Sequence, residues 1–229
     1  MKTIVLFKNV TKKYNKDIIA LDRATLSIKQ GEFVSVVGRS GTGKTTLVRL
    51  MIAEEKPSEG SIHIMDWNLN KIKKKEVPQF RRQIGVVFQD FKLLSKKTIY
   101  ENVAFAMMVS GKSRSDIKRN VPQILDLVGL NNKANRFPKE LSGGEQQRTA
   151  IARAFVHKPK LFIADEMTGE LDVLYAWEIM EILLKINDLG TTVVMATHDR
   201  DIVNRIQKRV ITLEDGKIIR DHKKGDYLL

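Results

Sequence analysis

The stretch GRSGTGKTT, from Gly38 to Thr46, constrains the fold of this chain more than any other sequence feature. It fits the phosphate-loop pattern, in which a glycine and four variable residues precede Gly-Lys-Ser/Thr. The run FVSVV before it reads as a buried strand, and KTTLVRLMIA after it reads as a helix. A plain glycine-rich turn would need neither this spacing nor this context. The sequence therefore predicts an α/β fold built around a phosphate-binding loop.

The loop residues are the expected contacts of a nucleotide. Glycines allow the tight turn that brings the backbone amides from Ser40 to Thr45 together. The Lys44 ammonium would neutralise the β- and γ-phosphates, and the Thr45 hydroxyl would bind Mg²⁺. The predicted nucleotide-binding residues of the loop are Gly38, Arg39, Ser40, Gly41, Thr42, Gly43, Lys44, Thr45 and Thr46.

A second apolar run, LFIADE, ends in two adjacent carboxylates, Asp165 and Glu166. Unpaired acids at the end of a buried strand are costly, and Mg²⁺ bound to a triphosphate gives a reason for them. Asp165 would hold the metal directly or through water, and Glu166 would act as the general base on the attacking water. Two solvated acids at a strand end are the alternative, which the nearby phosphate loop disfavours.

Apolar strand patterns alternate with helical patterns along the chain, which predicts a mostly parallel sheet covered on both faces. Helical periodicity dominates from about 91 to 158, and a further helix is expected from about Val173 to Leu189. We interpret residues 1–229 as one domain. Its α/β body would comprise about 1–90 and 159–229, with a helical lobe of about 91–158 inserted into it.

Bulk composition excludes some classes of protein and leaves others open. The chain of 229 residues has no cysteine, which excludes disulfides and thiolate metal sites. Its longest apolar run, Val103 to Val109, is too short to span a bilayer, and the first residues read as a strand and not as a signal peptide.

The net charge of +13 suggests an anionic neighbour, either nucleic acid or a membrane surface. Lysines that are merely solvated are the alternative, at Lys71, Lys73, Lys74, Lys75, Lys223 and Lys224.

A serine and two glycines open a second helical pattern, LSGGEQQRTAIARAF. Glycines at a helix start let an anion approach the backbone amides closely, so this is a second candidate phosphate contact. Ser142 also has the residue type of a helix N-cap, and the two roles are compatible.

Together these motifs resemble the ATP-binding cassette (ABC) ATPases over essentially the whole chain. LSGGEQQR resembles the family signature, and LFIADE follows it at the usual interval. Gln89 in VVFQDF matches the glutamine loop, and His198 in MATHD matches the switch histidine. TGELD matches the segment that ends in Asp172, and Tyr14 lies where family members stack an aromatic ring on adenine. A phosphate loop alone is common, whereas this ordered set is specific.

The resemblance implies a P-loop NTPase of the α/β class, with a mostly parallel RecA-like sheet, an antiparallel β portion and an inserted helical lobe. It implies a Mg-dependent ATPase whose cofactors are ATP and Mg²⁺. The implied catalytic residues are Glu166, His198 and Gln89, and the implied metal ligands are Thr45, Gln89 and Asp165. Two copies would pair head to tail, since two half-sites on one chain cannot serve one nucleotide. The residues implied to act across that dimer are Ser142, Gly143, Gly144 and Glu145 in the signature, with Asp172 at the dimer contact.

Finer features, such as FQDFKLL and TIYENVAFA, are most similar to the cell-division branch of the family. That branch implies a homodimer in the ATP state, held at the cytoplasmic face of the membrane by an FtsX-like membrane protein that controls cell-wall hydrolysis. It also implies contacts with FtsZ and with an anionic membrane surface, and no nucleic-acid partner. An exporter subunit of the related lipoprotein and macrolide branch is the main alternative. A soluble ABC protein acting on nucleic acid is disfavoured because the cassette is single and uninterrupted.

Two further expectations concern surfaces. The apolar residues Phe91, Leu93 and Leu94 after the glutamine loop are expected to be exposed and to line a groove for the partner's helix; the alternative is that they belong to the core of the lobe. Relatives usually have asparagine where this chain has Glu170, and the extra negative charge is expected to weaken ATP-driven dimer closure.

Overall fold

The computed structural model describes residues 2–15, 18–167 and 173–225 of the chain. The strands in these ranges are β1 (Thr3–Asn15), β2 (Ile18–Lys29), β3 (Phe33–Val37), β4 (Glu59–Ile64), β5 (Trp67–Asn68), β6 (Ile84–Val87), β7 (Leu161–Asp165), β8 (Thr192–Thr197), β9 (Arg209–Glu214) and β10 (Lys217–His222). The α-helices are α1 (Lys44–Met51), α2 (Val77–Arg81), α3 (Ile99–Val109), α4 (Arg114–Leu127), α5 (Gly143–Phe155), α6 (Val173–Asp188) and α7 (Arg200–Ile206).

The larger sheet has the strand order β10-β9-β3-β8-β7-β6, and all its neighbours pair in parallel except β10 with β9. Alternate residues of its strands enter two different cores. In β3, Phe33 and Val37 face the core on one side, whereas Val34 and Val36 face the core on the other. This two-sided burial explains why the central strands are apolar at almost every position. The predicted, mostly parallel sheet is confirmed.

The smaller sheet has the order β2-β1-β4-β5 and is antiparallel throughout. Its buried face, which includes Phe7, Ile28 and Ile62, packs with α1 in the same core as Val34 and Val36 of β3. The antiparallel portion of the predicted fold is therefore confirmed. Its packing holds α1, and with it the phosphate loop, against the larger sheet.

Three helices, α3, α4 and α5, lie between β6 and β7 in the chain, and each begins at a capping side chain. The N-caps Thr98, Ser113 and Ser142 each accept a hydrogen bond from an amide three residues later. Pro122 lies inside α4 without ending it. The short helices α2 and α7 were not predicted, because two turns or fewer leave too little periodicity to detect. The division into a body and a lobe stays a prediction.

None of the described helices is long and apolar enough to cross a bilayer.

Candidate nucleotide-binding site

A cavity of about 780 Å³ lies at the carboxyl ends of β3 and β7, beside the end of β8. These strands are neighbours in a parallel sheet, so the residues that follow them meet at one edge, where open α/β sheets bind ligands. The cavity is lined by Ala20, Arg39, Ser40, Gly41, Gly43, Lys44, Thr45, Thr46, Gln89, Glu166, His198 and Arg200. The structure thus brings together the phosphate loop, the glutamine loop, the predicted base and the switch histidine.

Two glycines of the loop are required by close backbone packing. A Cβ at Gly43, where φ is +103°, would lie 2.3 Å from the carbonyl oxygen of Ala20. A Cβ at Gly38 would lie 2.4 Å from the carbonyl oxygen of Leu213. Any side chain at these positions would force the loop away from β2 and β9 and change the direction of its amides.

Lys44 is buried in the loop that precedes it. Its Nζ donates to the carbonyl oxygens of Gly38 and Arg39, at 2.8 and 3.0 Å. The same Nζ lies 3.3 Å from Oε1 of Glu166. One ammonium therefore joins the loop after β3 to the acid after β7, which places positive charge at the centre of the site.

Glu166 lies between the side chains of Lys44 and His198. Its Oε2 lies 2.6 Å from Nδ1 of His198, while its Oε1 faces Lys44. Its backbone is left-handed, with φ of +51°, and its N–H donates to the carbonyl of Ala196 in β8. This conformation costs roughly 1–2 kcal/mol for a residue with a side chain. The fold thus holds a carboxylate in a fixed direction beside an imidazole, an arrangement that can accept a proton from water.

Asp165, one residue earlier, is buried, and its Oδ1 has no hydrogen-bond partner within the described structure. Burial, together with the negative charge of Glu166, raises the pKa of Asp165 to about 6, although Lys44 and a hydrogen bond from the Thr45 side chain oppose the shift. An unpartnered carboxylate oxygen beside a threonine hydroxyl suits a hard cation.

The described residues contain no cluster of three or more His, Cys, Asp or Glu side chains that could hold a metal ion. Mg²⁺ commonly takes one or two carboxylates and completes its coordination with phosphate oxygens and water. The unpartnered oxygen of Asp165, with the Thr45 hydroxyl beside it, fits the metal that accompanies a nucleotide.

Tyr14 lies beside the last residue of the phosphate loop. Its hydroxyl is 3.4 Å from Oγ1 of Thr46, and the Nζ of Lys12 lies 5.0 Å from the centre of its ring. The Tyr14 side chain is partly exposed. Adenine stacking on Tyr14 stays a prediction.

Sequence reasoning missed two residues that line the cavity, Ala20 and Arg200. Ala20 lies in β2 and carries no chemical signal. Arg200 begins α7, two residues after His198, and its charge next to the switch histidine was the available clue. An exposed arginine in a short segment is otherwise common, which is why it did not stand out.

The signature segment opens α5 but does not line this cavity among the described residues. Ser142 is the N-cap and forms a capping box with Glu145: Ser142 N–H donates to Oε2 of Glu145, and Glu145 N–H donates to Oγ of Ser142. Gly144 lies against the Tyr175 ring of α6, so a Cβ there would be 3.3 Å from Cδ1. The predicted N-cap role of Ser142 is confirmed. Asp172 and Glu170 lie outside the described residues.

Comparison with known proteins agrees with this site. The ABC transporter family matches residues 21–169, and the chain belongs to that family, the ABC ATPases. Proteins named cell division ATP-binding protein FtsE are similar over nearly the whole length: that of Streptococcus pneumoniae is 53% identical over 225 residues, covering 98% of each chain. The FtsE of Bacillus subtilis is 53% identical over 224 residues, again covering 98% of each.

Among solved structures, the dimeric cassette MJ0796 bound to ADP and Pi superposes with a TM-score of 0.86 at 38% identity. The match covers 97% of this chain and 100% of that chain. The protein is therefore an ATP-binding ABC ATPase that hydrolyses ATP to ADP and phosphate.

Proposed function

We propose that this protein is the ATPase subunit of an FtsEX-type membrane complex in cell division, in which ATP-driven closure of a homodimer acts on a membrane partner that controls cell-wall hydrolysis. The full-length similarity to FtsE proteins supports the cell-division role. The observation that supports the mechanism is that two helices of one chain, α1 and α5, begin at glycine-containing turns, a kind of helix start that suits a phosphate.

Within one copy, Lys44 and the loop amides hold the phosphates, and Tyr14 packs against the adenine. Thr45, Gln89 and Asp165 hold Mg²⁺, which offsets charge on the phosphates when it is bound. Glu166 accepts the proton of the attacking water, and His198 orients both the carboxylate and that water. The contact between Glu166 and His198 supports this assignment.

The second copy supplies the signature. Ser142, Gly143 and Gly144 then offer a hydroxyl and backbone amides to the γ-phosphate held by the first copy. The dimeric state of the similar cassette MJ0796 is a precedent for such pairing. Because the pairing is two-fold, each dimer holds two shared ATP molecules.

Replacement of the base tests the shared site. Glu166→Gln keeps the shape of the side chain but cannot accept the proton, so hydrolysis should fall by about 10²-fold or more while ATP still binds. The variant should then accumulate as an ATP-dependent dimer, measured by light scattering with Mg·ATP and with Mg·ADP. A monomer at saturating Mg·ATP would contradict the proposed dimer.

An apolar groove of about 550 Å³ supports the proposal of an FtsX-like membrane partner. It is lined by Ile52 and Glu54, which follow α1, and by residues of α2, β6, α3 and α5. Of the three apolar residues expected there, Leu94 lines the groove. Leu93 packs against the core, and the Phe91 carbonyl accepts a hydrogen bond from Arg153. All three are half-buried, so the expectation that they are exposed was wrong.

The segment before α2 supports a location at the cytoplasmic face of the membrane. Lys71, Lys73, Lys74 and Lys75 are exposed there. Positive charge of this kind attracts anionic lipid headgroups. A contact with FtsZ belongs to the same proposal through the similarity to FtsE.

A further inference from the structure

We propose that Lys133 is a charge-compensating residue of the signature helix. Its ammonium neutralises the carboxylate of Glu145, so that the N-terminus of α5 can accept the phosphate of a nucleotide held by a second copy of the chain. The inference rests on the ATP-dependent dimer proposed above, and it concerns what allows that dimer to close.

The first turn of α5 leaves two amides for an anion. The Glu145 N–H is used by the Ser142 hydroxyl, and the first helical bond runs from the Gln146 N–H to the Ser142 carbonyl at 2.9 Å. The amides of Gly143 and Gly144 precede that bond and project from the helix end. They are the donors that a phosphate would use.

Glu145 already places a negative charge at this end. Its side chain is only 15% exposed, and Oε2 accepts the backbone N–H of Ser142 at 3.1 Å. The pKa of Glu145 lies below its usual range, chiefly because Lys133 hydrogen-bonds to it, so the carboxylate is ionised at neutral pH. A helix N-terminus favours one nearby anion, but a second anion is repelled by the first. The carboxylate alone would therefore oppose the binding of a phosphate.

Lys133 neutralises the Glu145 carboxylate, and hydrogen bonds hold the backbone of Lys133 in place. Its Nζ contacts Oε1 of Glu145, the oxygen that Ser142 does not use. The backbone of Lys133 is held on both sides, because its N–H donates to the carbonyl of the fully buried Leu130 and its carbonyl accepts the N–H of Arg136. A fixed backbone lowers the entropy lost when the ion pair forms.

The nearby arginine is engaged elsewhere. Arg148, one turn further along α5, forms an ion pair with Glu178 of α6. Within the part of the chain that the structure describes, Lys133 is the cation that forms an ion pair with Glu145, while Arg148 lowers the pKa of Glu145 only through its charge. The pair of Lys133 and Glu145 carries no net charge. An ordinary exposed ion pair would stabilise the fold by less than about 1 kcal/mol and would have no effect on a distant phosphate. Charge compensation by Lys133 and an ordinary ion pair therefore predict different effects of Lys133→Met on the affinity of the dimer.

The test uses Glu166→Gln as the parent, with Lys133→Met, Glu145→Gln and the double variant added to it. Dimer dissociation constants are measured by analytical ultracentrifugation with Mg·ATP at about 50 and about 300 mM salt. Lys133→Met should weaken the dimer about five- to tenfold at low salt and somewhat less at high salt, because salt screens the part of the repulsion that passes through solvent. The double variant should return to within about twofold of the parent, because it lacks both charges.

Lys139→Met is the matched control, since it removes one exposed lysine from the neighbouring turn without touching Glu145. ATP binding by each monomer reports on folding. Parental affinity in Lys133→Met, or failure of Glu145→Gln to rescue it, would overturn the inference while leaving the shared site intact. A parent that stays monomeric with ATP would instead contradict the proposed dimer, and this inference would fall with it.

Discussion

Two adjacent carboxylates in this site have different surroundings, and their surroundings distinguish their roles. Asp165 is buried with one oxygen unpartnered, whereas each oxygen of Glu166 faces a partner, Lys44 or His198. Burial disfavours the charged form of Asp165 until a cation arrives. Contact with two nitrogen groups instead orients Glu166. The pair shows how neighbouring residues of the same chemistry acquire separate functions from their environment.

Replacing Asp165 should make the nucleotide-free protein more stable at neutral pH. Because its pKa rises from 3.8 to about 6 on folding, the native state loses stability as the pH rises through this interval. Asp165→Asn removes that cost and should raise the free energy of unfolding by about 1–3 kcal/mol at pH 8. The gain should shrink towards pH 4, where the acid is almost fully protonated in the folded state and about half protonated in the unfolded state. Urea unfolding of both proteins at the two pH values measures this.

Asp66→Asn is the control, because folding lowers the pKa of Asp66 and raises that of Asp165. Asp66 is exposed, and its pKa is lowered chiefly by a hydrogen bond from Lys2, so removal of its charge should not stabilise the protein at pH 8. Equal stability of Asp165→Asn and the unmodified protein at pH 8 would mean that burial does not raise the pKa of this acid.

At the scale of elements, α3 separates two clefts. Phe105, Ala106 and Val109 line the apolar groove that residues of α3 share with residues of α2 and β6. Tyr100, Ala104 and Met108 line a smaller cavity, of about 270 Å³, between α3 and α4. Helical spacing therefore divides the apolar residues of α3 between two surfaces, while residues such as Ile99 and Val103 enter the core.

Truncation of one exposed side chain of α3 should weaken partner binding. Phe105 is 43% exposed and lines the groove, so Phe105→Ala should lower affinity for an FtsX-like partner about tenfold. The measurement is co-purification with the membrane protein in detergent, with thermal unfolding of the isolated subunit as a check on folding. Met108→Ala is the matched control, because Met108 is 52% exposed on the same helix but faces the other cleft. Equal losses from both variants would argue against the groove as the docking site.

At the scale of the whole molecule, part of the net charge of +13 comes from the exposed lysines Lys71, Lys73, Lys74 and Lys75, which precede α2. The segment 71–75, which carries these lysines, is joined to the start of α2 by two hydrogen bonds. The side chain of Glu76 accepts the N–H of Lys73, and the N–H of Glu76 donates to the carbonyl of Lys73. Helix α2 in turn supplies Pro78 and Arg81 to the groove. A membrane protein docked there would bring these lysines towards lipid headgroups.

Binding to vesicles should therefore depend on these lysines more than on total charge. Lys73→Gln with Lys74→Gln should weaken binding to vesicles rich in anionic lipid about tenfold at low salt, and less at high salt. Lys223→Gln with Lys224→Gln makes the same change in net charge at another exposed site and should have a smaller effect. Sedimentation with vesicles measures both. Tighter binding to DNA than to vesicles, with stimulated hydrolysis, would favour the nucleic-acid alternative.

Much of the site is determined by short stretches of sequence. The spacing of Gly38, Gly43 and Lys44 specifies a phosphate loop. The conformation of this loop depends on the backbone freedom of its glycines and on contacts between residues a few positions apart, such as those of Lys44 with Gly38 and Arg39. Ser142 and Glu145 specify a helix start for the same reason, and the capping box observed there agrees. Continuous apolar runs before Gly38 and Asp165 specify strands buried on both faces. Each of these features depends on contacts within a few residues.

Tertiary structure decided what no local pattern contains. The contacts of Glu166 with Lys44 and His198 exist because β8 lies between β3 and β7 in the sheet. Likewise, the pairing of Lys133 with Glu145 depends on where a short turn packs beside α5. Local periodicity reports which face of an element is buried, but it does not report which distant element covers that face. The physical reason is that strand order and helix packing arise from the whole core, so the partners of a side chain are known only once that core is assembled.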